Sequence, residues 1–154
     1  MVEKLPFAGV PVPTARGGGC VNGDRPKVML VEDEEQLRLL LRLTLDLGSV
    51  DIIEAEDGET AVEKARLEAP DVIFLDWALP GMTGIDVCRE LRAGNDPATK
   101  DTRIVMLTGH SGDHERRQGL DAGADDYLTK PFSPQQLLDK LSELLGPRNL
   151  LGSA

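Results

Sequence analysis

Apolar residues in this chain come as short unbroken runs that alternate with stretches of helical spacing. Val28 to Val31, Val72 to Leu75 and Ile104 to Leu107 are continuous apolar runs, the pattern of buried strands. Val50 to Ala55 and Tyr127 to Thr129 are shorter runs of the same kind. After the first run, Leu37, Leu40, Leu41 and Leu45 recur at helical spacing and predict a core-facing helix, and Gly48 closes the stretch. Asp57-Gly58-Glu59-Thr60 opens a second helix that carries Val62, Ala65 and Ala69 on one face and stops at Pro70. Thr83 with Asp86 predicts a capping box ahead of Val87, Cys88 and Leu91, and a polar loop through Asn95-Asp96-Pro97 follows. A fourth helix is capped by Ser111-Gly112, but Gly119 inside it costs about 1 kcal/mol relative to alanine, so it is expected to be mobile. Ser133-Pro134-Gln135-Gln136 supplies the last helix with an N-cap, a first-position proline and a capping glutamine, ahead of Leu137, Leu138, Leu141, Leu144 and Leu145.

Strand and helix thus alternate five times. Consecutive parallel strands need a crossover of about a dozen residues, which these helices provide. The expected architecture is α/β, a doubly wound (βα)5 parallel five-stranded sheet in a three-layer sandwich. Right-handed crossovers with an order reversal beside the first strand place strands one and three side by side.

Four of the runs end in residues of one chemical set: Glu32-Asp33, Asp76, Thr108 and Lys130. Ligands of open parallel sheets sit beyond the carboxyl ends of the strands, so these endings are expected to share one crevice. Two carboxylates about 4 Å apart repel by roughly 4 kcal/mol at an effective dielectric of 20, so three of them call for a cation. Oxygen ligands without a nearby His or Cys point to a hard ion such as Mg2+, with Mn2+ as a substitute. Asp76 stands singly at the end of a long apolar run and is the candidate nucleophile toward a phosphoryl donor, with Thr108 and Lys130 placed to bind the phosphoryl oxygens. Each residue also has a plainer role. Asp33 with Gln36 could cap a helix, Asp76 could be a turn residue, Thr108 an ordinary strand terminus and Lys130 a solvated lysine. The order and spacing of the whole set favour the chemical reading.

Composition sets the boundaries. Of the 154 residues, 1–26 hold a Pro/Gly-rich stretch without helical or strand period, 27–146 form the domain, and 147–154 are a short tail. The first segment is expected to be a flexible extension, whether inert or a tether. The formal charge is −10, and the extension, with Lys4, Arg16 and Arg25 against Glu3 and Asp24, leaves the domain more acidic still. Such a surface repels phosphate backbones, so direct nucleic-acid binding is not expected. No apolar stretch reaches the roughly 20 residues that span a bilayer, so a cytoplasmic protein without membrane attachment is expected. Cys20 lies among glycines, and Cys88, inside a helix, reads as a small buried hydrophobe.

The segments Lys27-Val-Met-Leu-Val-Glu-Asp-Glu-Glu, Pro70-Asp-Val-Ile-Phe-Leu-Asp-Trp-Ala-Leu-Pro-Gly-Met-Thr-Gly, Ile104-Val-Met-Leu-Thr-Gly and Gly123-Ala-Asp-Asp-Tyr-Leu-Thr-Lys-Pro-Phe carry a closer resemblance. Together they resemble the receiver domain of two-component response regulators over residues 27–146. The resemblance implies a flavodoxin-like sheet of strand order 2-1-3-4-5. It implies that Asp76 is the phosphoacceptor, that Glu32, Asp33 and Asp76 hold Mg2+ with the backbone carbonyl of Ala78, and that Thr108 and Lys130 contact the phosphoryl group. Tyr127 would be the rotating switch aromatic, though an aromatic there can simply cover the core edge. The side chains of Ala78 and His110 would flank the approach of attacking water and tune the phosphoryl lifetime. The Lys130-Pro131 bond is expected to be cis. Glu32 stands where many members carry aspartate, and its longer side chain could bind the ion through water.

The function so implied is a phosphoacceptor switch, not an enzyme acting on other substrates. A histidine kinase or phosphotransfer protein donates to Asp76, and the surface of helix four, strand five and helix five changes shape for a downstream protein target. Ending at Ala154, the chain reads as a single-domain regulator, and truncation of a longer one gives the same sequence. Two alternatives stand beside it: a metal-dependent phosphohydrolase using the acid trio to activate water, and a receiver-like binding module that is never phosphorylated.

Overall fold

A computed structural model of the chain describes residues 25–46, 50–94, 96–109 and 112–145. The expectations for residues 1–24 and 146–154, and those for Cys20, Gly48, Asn95, His110 and Ser111, lie outside the described residues. The elements run β1 (Lys27–Val31), α1 (Glu35–Leu45), β2 (Asp51–Ala55), α2 (Gly58–Glu68), β3 (Val72–Asp76), α3 (Gly84–Ala93), β4 (Arg103–Thr108), α4 (Asp113–Asp121), β5 (Asp126–Thr129) and α5 (Pro134–Leu145). All strand pairs are parallel and the sheet order is β2-β1-β3-β4-β5, as expected.

The two-residue period of the strands divides the core into two layers. Met29, Val31, Ile73, Leu75, Ile104 and Met106 point to one face, where they meet Ala61, Val62 and Ala65 of α2 and Val87, Cys88 and Leu91 of α3. Val28, Leu30, Val72, Phe74, Val105 and Leu107 point to the other, against Leu41 and Leu45 of α1 and Leu137 and Leu141 of α5. The continuous apolar runs are explained by this double covering. Cys88 is fully buried, and desolvation pushes its thiol pKa up to about 11, so it behaves as a small apolar side chain.

The caps follow the local sequence. Thr83 and Asp86 form the reciprocal capping box of α3, and Asp57 accepts from the Thr60 N–H at 2.8 Å to start α2. Ser133 and Gln136 exchange side-chain to backbone bonds at the start of α5, at 2.8 and 3.1 Å. Helix α4 starts at Gly112 without a side-chain cap. Its Gly119 is buried against Met106 and Trp77, so the residue that weakens the helix intrinsically also lets it lie close to the sheet. One expectation fails: Leu40 is 51% exposed, with Leu39 and Leu43 beside it. So many leucines surround α1 that its period is blurred, and the buried stripe runs through Leu41, Thr44 and Leu45.

The chain after β3 is held tightly. The Gly84 N–H donates to the Trp77 carbonyl at 2.9 Å, and a methyl group on Gly84 would strike the Asp76 carbonyl, with Trp77 Cα at 3.0 Å and Met106 Cε at 3.1 Å. A methyl on Gly109 would meet nothing within 4 Å. Gly84→Ala is therefore expected to lose about 1–3 kcal/mol in urea unfolding, while Gly109→Ala stays within about 0.5 kcal/mol of the native chain.

Candidate functional site

Register alone brings the strand ends together. Val31 pairs with Leu75, so Glu32 follows β1 level with Asp76 at the end of β3. Asp76 pairs with Leu107, which puts Thr108 one step further along β4. Thr108 pairs with Thr129, and the next residue, Lys130, donates its N–H to the Thr108 carbonyl at 2.7 Å. Four residues separated by up to 98 positions thus reach one end of the sheet.

Their side chains meet as well. Lys130 Nζ lies 2.8 Å from Asp76 Oδ1 and 3.4 Å from Glu32 Oε1. Glu32, Asp33 and Asp76 each offer an oxygen within 4.8 Å of the other two. Glu32 and Asp76 are buried and Asp33 is exposed, so the cluster opens to solvent on the Asp33 side. Asp33 does not cap α1, whose N-cap position is Glu34 with no side-chain cap bond. Thr108 is buried beside the cluster, and the Lys130-Pro131 bond that follows β5 is cis, as expected. Ala78 is exposed in the loop after β3, and its N–H donates to the Asp76 carboxylate. Tyr127 is half-buried on β5, with the Arg116 guanidinium of α4 lying 5.1 Å from its ring centroid.

The electrostatics follow from three acids around one ammonium. Burial raises the pKa of Asp76 above the ordinary carboxylate range, the Asp33 charge adds to this, and the Lys130 hydrogen bond and charge oppose it. Burial and then the Asp76 charge raise Glu32. Burial opposes the charge of Lys130, but its bonds to Asp76 and Glu32 outweigh that and hold its pKa above the usual lysine value. An all-oxygen, net negative cluster open on one side fits a small hard dication that completes its shell with water and a phosphoryl oxygen.

Two neighbours of the cluster carry no signal in the sequence. Arg38 of α1 donates to the Glu32 backbone carbonyl at 2.7 Å, and Arg116 covers Tyr127. Each stands in a helix among other charged residues, and the strand residue it meets, Glu54 of β2 for Arg38 and Tyr127 of β5 for Arg116, is brought near only by the folded chain.

Residues 28–142 match the response regulator receiver domain, and the chain belongs to that family, the receivers of two-component signal transduction. It is 41% identical over 120 residues to the phosphate regulon transcriptional regulatory protein PhoB of Rhizobium meliloti, covering 78% of this chain and 52% of that protein. It is 41% identical over 119 residues to the alkaline phosphatase synthesis transcriptional regulatory protein PhoP of Bacillus subtilis, covering 77% of this chain and 48% of that one. The chain thus spans about half the length of these curated relatives. Chemotaxis response regulator CheY4 of Vibrio cholerae is similar in structure, with a TM-score of 0.74, 33% identity and coverage of 79% of this chain and 99% of CheY4. The receiver domain of the sensor histidine kinase PA1611 from Pseudomonas aeruginosa, solved with a magnesium ion in its active site cleft, gives a TM-score of 0.72 at 30% identity, covering 79% and 98%.

A carboxyl whose folded pKa is raised binds its proton more readily folded than unfolded. Its contribution to stability is full below the ordinary carboxylate range and is lost as pH rises through the raised value. In metal-free buffer at neutral pH, Asp76→Asn should therefore have a higher urea midpoint than the native chain. The gap should close below about pH 4, where the native carboxyls carry their protons.

Proposed function

We propose that this receiver accepts a phosphoryl group on Asp76 from a phosphohistidine of a histidine kinase or phosphotransfer protein. The observation that carries this reading is the Lys130 ammonium 2.8 Å from Asp76 Oδ1, with Glu32 and Asp33 closing an oxygen cluster on the same carboxylate. Glu32, Asp33 and Asp76, with the Ala78 carbonyl, would hold Mg2+, which when bound neutralises charge on the acids and on the transferring phosphoryl oxygens. Mn2+ has the same ligand preferences. The Asp76 carboxylate oxygen forms the new P–O bond as the P–N bond to the donor imidazole breaks, and the imidazole takes up a proton from solvent. Lys130 stays in contact with the modified carboxyl and offsets its added charge. The Thr108 hydroxyl, at the end of the adjacent strand, takes a phosphoryl oxygen as hydrogen-bond acceptor.

Two-state output requires a mobile element that senses the new charge. Tyr127 stands one strand away on β5, between the Thr108 end of β4 and α4. Movement of Thr108 toward the phosphoryl group frees space for the ring, and the face made by α4, β5 and α5 then presents a different surface to a downstream protein. A shift from about 1:99 to 99:1 needs near 5.5 kcal/mol, the scale of a few charge-assisted hydrogen bonds. Ala78, two residues beyond the acceptor, modulates how long the group survives, and the same role is proposed for His110, which lies outside the described residues. PhoB and PhoP are transcriptional regulators by name, and the contribution proposed for this receiver is the protein contact made by its switched face. No helix among the described residues is long and apolar enough to cross a membrane, in keeping with a cytoplasmic setting.

Incubation with a small acyl phosphate and Mg2+, followed by intact-mass analysis, should add one phosphoryl group to the native chain and none to Asp76→Asn. An unchanged native mass would contradict the reading, and steady turnover of phosphate esters would favour the hydrolase. Ion binding has a separate signature. At Mg2+ a hundred times its dissociation constant, the native chain should gain about 2.7 kcal/mol in urea unfolding, and Asp33→Asn should gain much less at the same concentration.

A further inference from the structure

We propose that Arg38 is a positioning residue that sets the direction of the metal-binding acid pair. This rests on the Mg2+ reading above. The Arg38 side chain is only 12% exposed. Its Nη1 donates to the Glu32 backbone carbonyl at 2.7 Å, and its Nε donates to Glu54 Oε1 at 3.0 Å. Glu56 Oε2 lies 3.8 Å from Nη2. One planar guanidinium therefore ties the turn after β1 to the end of β2.

The tie falls where the site is least supported by anything else. Glu32 has a partner for each polar group: its N–H donates to the Ala55 carbonyl at 3.2 Å, and its carboxylate accepts from the Glu34 N–H and from Lys130. The Asp33 carboxylate takes no hydrogen bond from any described residue. The backbone alone sets where its Cα–Cβ bond points, and the carbonyl oxygen of the Glu32-Asp33 peptide is the one Arg38 holds. A tilted peptide would swing Asp33 away from Asp76 without disturbing the sheet. Outer partners of metal ligands typically change ion affinity by about 10- to 100-fold when removed. Lysine in this place keeps the charge but loses the fork that reaches two acceptors at once.

The test titrates native chain, Arg38→Met and Arg38→Lys with MgCl2, reading the fluorescence of Trp77, the only tryptophan and the neighbour of Asp76. Urea midpoints without Mg2+ are measured alongside. Arg92→Met serves as the control, because Arg92 makes a comparable tie at the opposite ends of the strands, to the Gly123 carbonyl at 3.0 Å and Asp125 at 2.9 Å. The half-saturating Mg2+ concentration should rise about tenfold in Arg38→Met and by more than about threefold in Arg38→Lys. Arg92→Met should lower the urea midpoint and leave half-saturation unchanged. Should Arg38→Met fail to fold, Arg38→Lys carries the decision. Half-saturation within about twofold of native in the folded variants would overturn the proposal and leave the Mg2+ reading intact. A native chain that shows no Mg2+ response in fluorescence or in urea would overturn the reading beneath it.

Discussion

Three carboxylates are held at the ends of two adjacent strands against a single ammonium. Their oxygens lie within 4.8 Å of one another, a spacing at which like charges repel, and Lys130 offsets only part of this for Asp76 and Glu32. Glu32 and Asp76 are fixed in place by strands whose side chains are buried on both faces. Separating Glu32 from Asp76 would require pulling β1 and β3 apart, and with them the apolar layers on either side. The core thus supports a local arrangement that its own residues oppose. A site strained in this way favours whatever brings positive charge or a bridging group to it.

The same constraint connects the chemistry to the rest of the fold. Asp76, Thr108 and Lys130 stand at the ends of the adjacent strands β3, β4 and β5, so a charge added at Asp76 lies beside the last residues of β4 and β5. Helix α4 is well suited to respond. It has no side-chain N-cap, carries a glycine at its contact with the sheet, and sends one arginine over the ring of Tyr127. By contrast α3 and α5 carry full capping boxes, and the α2–α3 side packs closely at Gly58, where a methyl group would lie 2.8 Å from both Met82 and Val87. Helix α4 is thus the lightly fastened element of the described residues, and the proposed output face includes it beside the firmly capped α5.

Much of this was legible in the sequence because the strand runs are unbroken and three helix starts carry capping residues. The runs at Val28, Val72 and Ile104 show buried parallel strands, and the caps at Asp57, Thr83 and Ser133 mark where three helices begin. The site residues were legible because each directly ends an apolar run, and parallel strands bring their ends to one side. What escaped was of two kinds. Leu40 was placed in the core because α1 is leucine-rich around most of its circumference, and only packing against the sheet selects a stripe. Arg38 and Arg116 escaped because their meaning lies in partners far away in sequence, Glu54 on β2 and Tyr127 on β5, and charged residues on a helix look alike until the layers are assembled.

The central claim is that one ion and one phosphoryl group meet the converged strand ends. A crystal structure of the chain with Mg2+ and beryllofluoride tests it most directly. The account predicts the fluoride adduct on a carboxylate oxygen of Asp76, the ion bridging it to Glu32 and Asp33, and Lys130 and Thr108 touching the fluorines. An adduct on another residue, or an ion bound away from the acid trio, would contradict it.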